Sequence, residues 1–233
     1  MKNTILIVMT SHGELGNTGK ATGFHYEEMT TPYYLFKDAG FDVLLASIAG
    51  GQPPFDPSSL NSSPSDNPES VQRFLKDDLA VNALKHSRSL NEVDDDTLTS
   101  FDAIYLPGGH GTLWDFRNNP YLEPIVSTLF QLGKPVAAVC HGVAGFIGAT
   151  DADGSPMVKG KRVNSFTNAE ECSIELDTTV PYLLESELRE LGCKFESSDN
   201  FRAHVAIDGN LISGQNPASA EGVAKAVVKY LAA

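Results

Sequence analysis

The chain has 233 residues, 41% hydrophobic and 20% charged, an ordinary globular composition with enough apolar material for one large core. A formal net charge of −13 gives a surface that DNA and anionic membranes repel, so neither is expected as a partner. Three cysteines, Cys140, Cys172 and Cys193, are too few and odd in number for a disulfide framework. No stretch approaches the length of a membrane span, and the apolar run Ile5–Met9 is too short for a signal-peptide core. A reducing, cytoplasmic location is expected. There is no internal repeat.

Thr4–Thr10, TILIVMT, is a short continuous apolar run ending in Ser11-His12-Gly13, as suits a strand buried on both faces. Glu27–Ala39 has helical spacing, tolerates Pro32 near its start and stops at Gly40. Phe41–Ser47 is the second strand, completing a β–α–β unit. Gly50–Ser70, GGQPPFDPSSLNSSPSDNPES, is too rich in Gly, Pro and Ser for long regular structure. It reads as a linker or as a lid beside a site. The β/α pattern resumes without a fresh start, which favours the lid. A single domain over residues 1–233, with a lid insertion around 50–98, is therefore expected. Val71–Lys85 reads as a helix, with a further short one over Leu90–Leu98.

Phe101–Thr112, FDAIYLPGGHGT, is a strand ending in a glycine turn. Pro120–Leu132 is helical, Pro135–Cys140 is another buried strand, and Gly142–Ala149 is a helix. Arg162–Phe166 reads as a short strand and Val180–Leu191 as a helix. Ala203–Gly214 is two strands about Asp208-Gly209, and Asn216-Pro217 opens the last helix. Alternating strands and helices predict a mainly parallel α/β sheet covered on both faces, with ligands at the carboxyl ends of the strands.

Three strand ends carry chemistry: Ser11-His12-Gly13, Gly108-Gly109-His110-Gly111 and Cys140-His141-Gly142. In a parallel sheet they share one edge, so two histidines and a cysteine can converge. Strand–Cys–x–Gly–helix has the logic of a nucleophile elbow. A helix dipole and a nearby imidazolium there would lower the thiol pKa. A buried packing cysteine is the commonest role for the residue, but placement at the strand end beside His and Gly favours a reactive thiol. His141 could orient the thiolate or move protons, held by an acid from Glu170-Glu171. The glycines at 108–111 could offer bare amides to an oxyanion. Glu28, at the start of the first long helix, could face the thiol as general acid/base. Taken alone, each of these has a plainer reading: a glycine turn, a turn-capping histidine, or an acid complementing a helix dipole. There is no zinc-like Cys/His spacing, Walker loop or dinucleotide fingerprint, so no cofactor is expected.

AVCHG after a buried strand, PGGHGTLWDF, SFTNAEE, NPASA at Asn216–Ala220 and the early GKATGFHYEE together resemble the ThiJ/PfpI superfamily, related to class I glutamine amidotransferase domains. The resemblance spans nearly the whole chain and lies in its glyoxalase III and heat-shock chaperone branch. It implies a flavodoxin-like fold and a homodimer. It matches Cys140 to the nucleophile, His141 to the following histidine, and Glu171 rather than Glu170 to the triad carboxylate. Glu28 matches the acid that hydrogen-bonds the thiol, Gly109 with the His141 backbone matches the oxyanion site, and Gly109 and His110 are the expected oxyanion and substrate-binding residues. Metal-binding members use two histidines and a carboxylate, two of them just after the Glu28 position. Here that region reads PYYLFKDAGFD without histidine and only His110 matches a ligand, so no metal site is expected.

The implied activity is glutathione-independent conversion of a small α-oxoaldehyde, methylglyoxal, to lactate, with deglycation of proteins as the same chemistry on a larger substrate. Two other readings fit the residues: a cysteine amidohydrolase or peptidase, and a holdase chaperone or redox sensor with an oxidisable Cys140.

Overall fold

The computed structural model describes residues 3–233. Nine strands and nine α-helices alternate along them. The strands are β1 (Thr4–Met9), β2 (Asp42–Ser47), β3 (Arg88–Ser89), β4 (Ala103–Leu106), β5 (Val136–Val139), β6 (Arg162–Val163), β7 (Lys194–Phe195), β8 (Val205–Asp208) and β9 (Leu211–Gly214). The helices are α1 (Tyr26–Asp38), α2 (Glu69–Leu75), α3 (Asp78–Lys85), α4 (Asp95–Ser100), α5 (Thr112–Asp115), α6 (Leu122–Gln131), α7 (Asn168–Ser173), α8 (Leu184–Glu190) and α9 (Ala220–Leu231).

Seven strands form one sheet in the order β3-β2-β1-β4-β5-β9-β8. All neighbours are parallel except β8 and β9, which form the hairpin expected about Gly209. β6 and β7 pair parallel as a separate small ribbon. This is the expected flavodoxin-like α/β architecture.

Strand alternation divides the apolar residues into two cores. Leu6, Val8, Ile104, Leu106, Val136 and Ala138 face one side, where Ile125, Val126 and Leu129 of α6 and Leu184 and Leu188 of α8 cover them. Ile5, Ile7, Met9, Tyr105, Ala137 and Val139 face the other, under Met29, Tyr33 and Phe36 of α1 and Val223, Ala224 and Val227 of α9. Each fully buried large side chain contributes roughly 1.5–3 kcal/mol, so both faces hold the central strands rigidly. The site stands on their carboxyl ends.

Several elements differ from expectation. The helix predicted over 71–85 is two helices. Asp77 divides them, accepting the Ala80 amide at 3.0 Å and the Tyr34 hydroxyl at 3.0 Å. The helix expected over 90–98 is a single 3-10 turn, Leu90–Glu92, followed by α4, whose Asp94 cap accepts the Thr97 amide at 2.8 Å. The helix expected over 142–149 is a 3-10 helix that starts at the cysteine, Cys140–Phe146. The predicted strand over 162–166 keeps only its first two residues, and α8 starts four residues later than Val180, beyond Pro181.

The Gly50–Ser70 stretch holds two single-turn 3-10 helices and is tied to the residues that open α1. The Phe24 amide donates to the Pro54 carbonyl at 3.0 Å, the Asp56 amide to the Phe24 carbonyl at 2.8 Å, and the Thr22 hydroxyl to the Asp56 carboxylate at 3.2 Å.

Candidate active site

Cys140 follows directly on β5 with φ +57°, in the left-handed region. A non-glycine residue held there costs about 1–3 kcal/mol and persists only where its surroundings impose it. The surroundings are glycines. A Cβ on Gly142 would overlap the Leu106 carbonyl. One on Gly108 would lie 2.7 Å from both Glu28 Oε2 and the His141 amide nitrogen. The elbow therefore closes onto the end of β4 with no room for side chains.

The sulfur lies 3.3 Å from Nδ1 of His141. On the far side of that ring, Nε2 donates to Glu171 Oε2 at 2.7 Å. This bond fixes the tautomer that leaves Nδ1 free to accept from the thiol. Glu171 Oε1 takes a second imidazole N–H, from His110 Nε2 at 2.9 Å. The two rings lie 4.1 Å apart between centroids. Burial opposes charge on Glu171, but the pull of His141 and then His110 outweighs it and holds the carboxyl well below its ordinary range. Burial, and then the neighbouring His110, lowers the proton affinity of His141, so its resting form is the neutral imidazole.

Glu28 lies on the first turn of α1 and is fully buried. Its Oε2 accepts the Gly108 amide at 2.7 Å. Oε1 is buried without a hydrogen-bond partner, and the Cys140 thiol is a neighbour of the carboxyl group. Burial pushes the Glu28 carboxyl up to about 8, against the pull of the Gly108 amide. It is thus a protonated acid at neutral pH. Burial, then the Glu28 charge, also pushes the Cys140 thiol up, while the His141 amide favours the thiolate. The lowered thiol pKa expected from a helix dipole is therefore corrected. No α-helix starts at Cys140, and desolvation decides the direction. The proton must be taken by a base, and Nδ1 of His141 is the base in place.

The structure thus brings together Cys140, His141, Glu171, His110 and Glu28, with Gly108 and Gly109 beside them. Gly109 has φ +102°, and a Cβ there would strike the Gly23 carbonyl. His12 does not join: it stacks on Trp114 at 5.0 Å and its Nε2 bonds the Glu14 carbonyl at 2.6 Å. Cys172 is exposed on α7 and Cys193 half-buried before β7, both outside the cluster.

Two features lay beyond sequence reading. His110 is a second partner of Glu171. Glu170 is fully buried and receives hydrogen bonds from Thr167, Phe201, Gln215 and Asn216. A signal for it was present: Thr167-x-x-Glu170 is a capping box, which the structure forms.

His110, His141 and Glu171 are also one set of three groups whose donor atoms, within 4.8 Å of one another, could hold a metal. Their two hydrogen bonds account for the clustering without an ion.

A sulfur, an imidazole bonded to a carboxylate, and a protonated acid thus meet at one edge of the parallel sheet, the arrangement of a candidate cysteine-dependent active site. The chain belongs to the DJ-1/PfpI family, whose pattern it matches over residues 20–230. It is 30% identical to a probable glutathione-independent glyoxalase of Schizosaccharomyces pombe, covering 99% of this chain and 98% of that protein. Among solved structures, glyoxalase III of Candida albicans superposes with a TM-score of 0.85 at 27% identity, covering 98% of this chain and 97% of that one. The rapid encystment protein of Francisella tularensis superposes with a TM-score of 0.92 at 37% identity, covering 99% of both chains.

Proposed function

We propose that this chain is a glutathione-independent glyoxalase that converts methylglyoxal to lactate. The observation that carries this reading is the Cys140–His141–Glu171 relay with a protonated, fully buried Glu28 at the same sulfur. The whole-length likeness to proteins named glyoxalases supports it.

His141 Nδ1 takes the thiol proton as sulfur attacks the aldehyde carbon, forming the C–S bond of a hemithioacetal. Glu171, ionised and bonded to Nε2, stabilises the imidazolium that results. Glu28 gives its proton to the developing alkoxide, which leaves it a carboxylate beside the former aldehyde C–H. That C–H proton is removed to the carboxylate while the His141 imidazolium protonates the ketone oxygen, giving an enediol and a neutral imidazole. Glu28 then protonates the neighbouring carbon and takes back the hydroxyl proton of the sulfur-bearing carbon, which yields a lactoyl thioester. Water then cleaves the thioester, releasing lactate and restoring the thiol. Amides around Gly109 and His141 are the proposed oxyanion donors. An acid with a pKa of about 8 suits proton transfer in both directions near neutral pH.

The same reading makes the protein a cytoplasmic homodimer with the Gly50–Ser70 segment as a lid. Light scattering checks the dimer. No helix among the described residues is long and apolar enough to cross a membrane.

The decisive assay is methylglyoxal consumption without glutathione, with lactate measured as product. The native chain is expected to form lactate, and Cys140→Ala to lose at least about a thousandfold in kcat/KM. Equal turnover by both proteins would sink the mechanism.

A further inference from the structure

We propose that Glu170 is a positioning residue that holds Phe201 as the outer wall of the thiol site, and that this wall favours oxoaldehydes carrying a flat apolar substituent. The substrate part of the inference rests on the glyoxalase reading.

Glu170 precedes the triad carboxylate, is fully buried, and hydrogen-bonds elsewhere than to the two imidazoles that Glu171 holds. Its Oε2 accepts the Thr167 amide at 2.9 Å and the Thr167 hydroxyl at 3.1 Å. Its Oε1 accepts the Phe201 amide at 2.7 Å, Gln215 Nε2 at 3.0 Å and Asn216 Nδ2 at 2.9 Å. All five partners are donors, so a carboxylate satisfies the site and an amide cannot. Burying a carboxylate is unfavourable unless such donors surround it. Three segments meet at this one group: the start of α7, the turn around Phe201, and the exit of β9.

What the group holds is unusual. Phe201 has φ +60°, a genuine outlier for a bulky side chain, and the residue is 50% exposed. Neither feature serves core packing, and backbone strain of this kind concentrates at functional sites. The ring packs on Phe166 at 6.2 Å between centroids. Phe166 in turn lies 4.5 Å from the His141 ring and 6.3 Å from that of His110. The row of rings runs from the triad imidazole to solvent, and its last member is fixed by the Glu170 bond.

His110 also borders a cleft of about 610 Å³ whose lining includes Leu15, Lys20, Asp56, Ile174 and Leu176.

The test compares kcat/KM for phenylglyoxal and for methylglyoxal on the full chain. Phe201→Ala is expected to lower the phenylglyoxal-to-methylglyoxal ratio by about three- to tenfold, the range of one aromatic contact. Phe201→Gly, which the left-handed backbone accepts, should lose the same ratio while raising Tm. Glu170→Ala should lower the ratio to the Phe201→Ala level with no further loss in the double variant, and Glu170→Gln should keep part of it. A purely structural role would lower both substrates together and leave the ratio fixed, which would overturn the proposal.

A second readout is independent of turnover. Cys140 is alkylated with iodoacetamide and with its N-phenyl analogue, the thiolate displacing iodide to form a thioether that mass spectrometry locates. The native chain should favour the phenyl reagent over Phe201→Ala by a similar factor. An identical preference in both proteins overturns the wall. If the native chain turns over neither aldehyde yet shows the alkylation preference, the glyoxalase reading fails and the wall stands.

Discussion

At the scale of single residues, one proton decides the behaviour of the site. Glu28 holds it up to about pH 8 because burial outweighs the Gly108 amide, whereas an exposed glutamate releases it near 4.5. Activity that needs the acid is therefore expected to fall as pH rises through about 8, and Glu28→Gln to lose that limb together with roughly a hundredfold or more in kcat/KM. Stability follows the same sign. Between 4.5 and about 8 the folded chain keeps a proton that the unfolded chain releases, so stability is full below 4.5 and declines as pH rises through that window. Glu28→Gln should flatten the decline, seen as a Tm less dependent on pH between 5 and 8. The sequence pointed to Cys140, His141, Glu171 and Glu28 through the elbow and the family likeness, and all four meet. The direction of the thiol shift was not legible, because desolvation depends on everything packed around the sulfur. Nor was the second grip of His110 on Glu171, since the residues lie 61 apart and no local pattern links them.

Among elements, strands were read well because runs such as Ile5–Met9 and Val136–Val139 are buried on both faces and signal it by continuous apolarity. Breaks inside helical patterns were read less well. The interruption at Lys76–Asp77 leaves the apolar spacing intact and depends on one carboxylate turning back to the Ala80 amide. Asp77→Ala is expected to reduce stability by about 1 kcal/mol through the cap, with a further loss from the Tyr34 hydroxyl, measured by urea unfolding. The two-residue strands β3 and β7 are too short for any period to show. The 3-10 helix after Cys140 reflects crowding by β4 rather than local preference: Gly142 sits against the Leu106 carbonyl, and a Cβ would not fit.

For the whole molecule, a net charge of −13 acts against compactness but not against a neutral substrate. Raising salt from about 10 to 200 mM should raise Tm by a few degrees while leaving kcat/KM for methylglyoxal flat. A slope in kcat/KM would mean that a charged group on the substrate or at the mouth steers entry. The site is also assembled from distant parts of the chain. Glu28 reaches Gly108 across 80 residues, Thr10 reaches Asp115 across 105, and Glu170 gathers donors as far along as Asn216. Closing loops of that length is slow, and no fragment of the chain holds a complete set of reacting groups. In refolding from denaturant, helical circular dichroism should therefore return before activity does. Pairing of β9 with β5 is what carries the Gln215-Asn216 exit to Glu170, so activity is expected only once that pairing has formed.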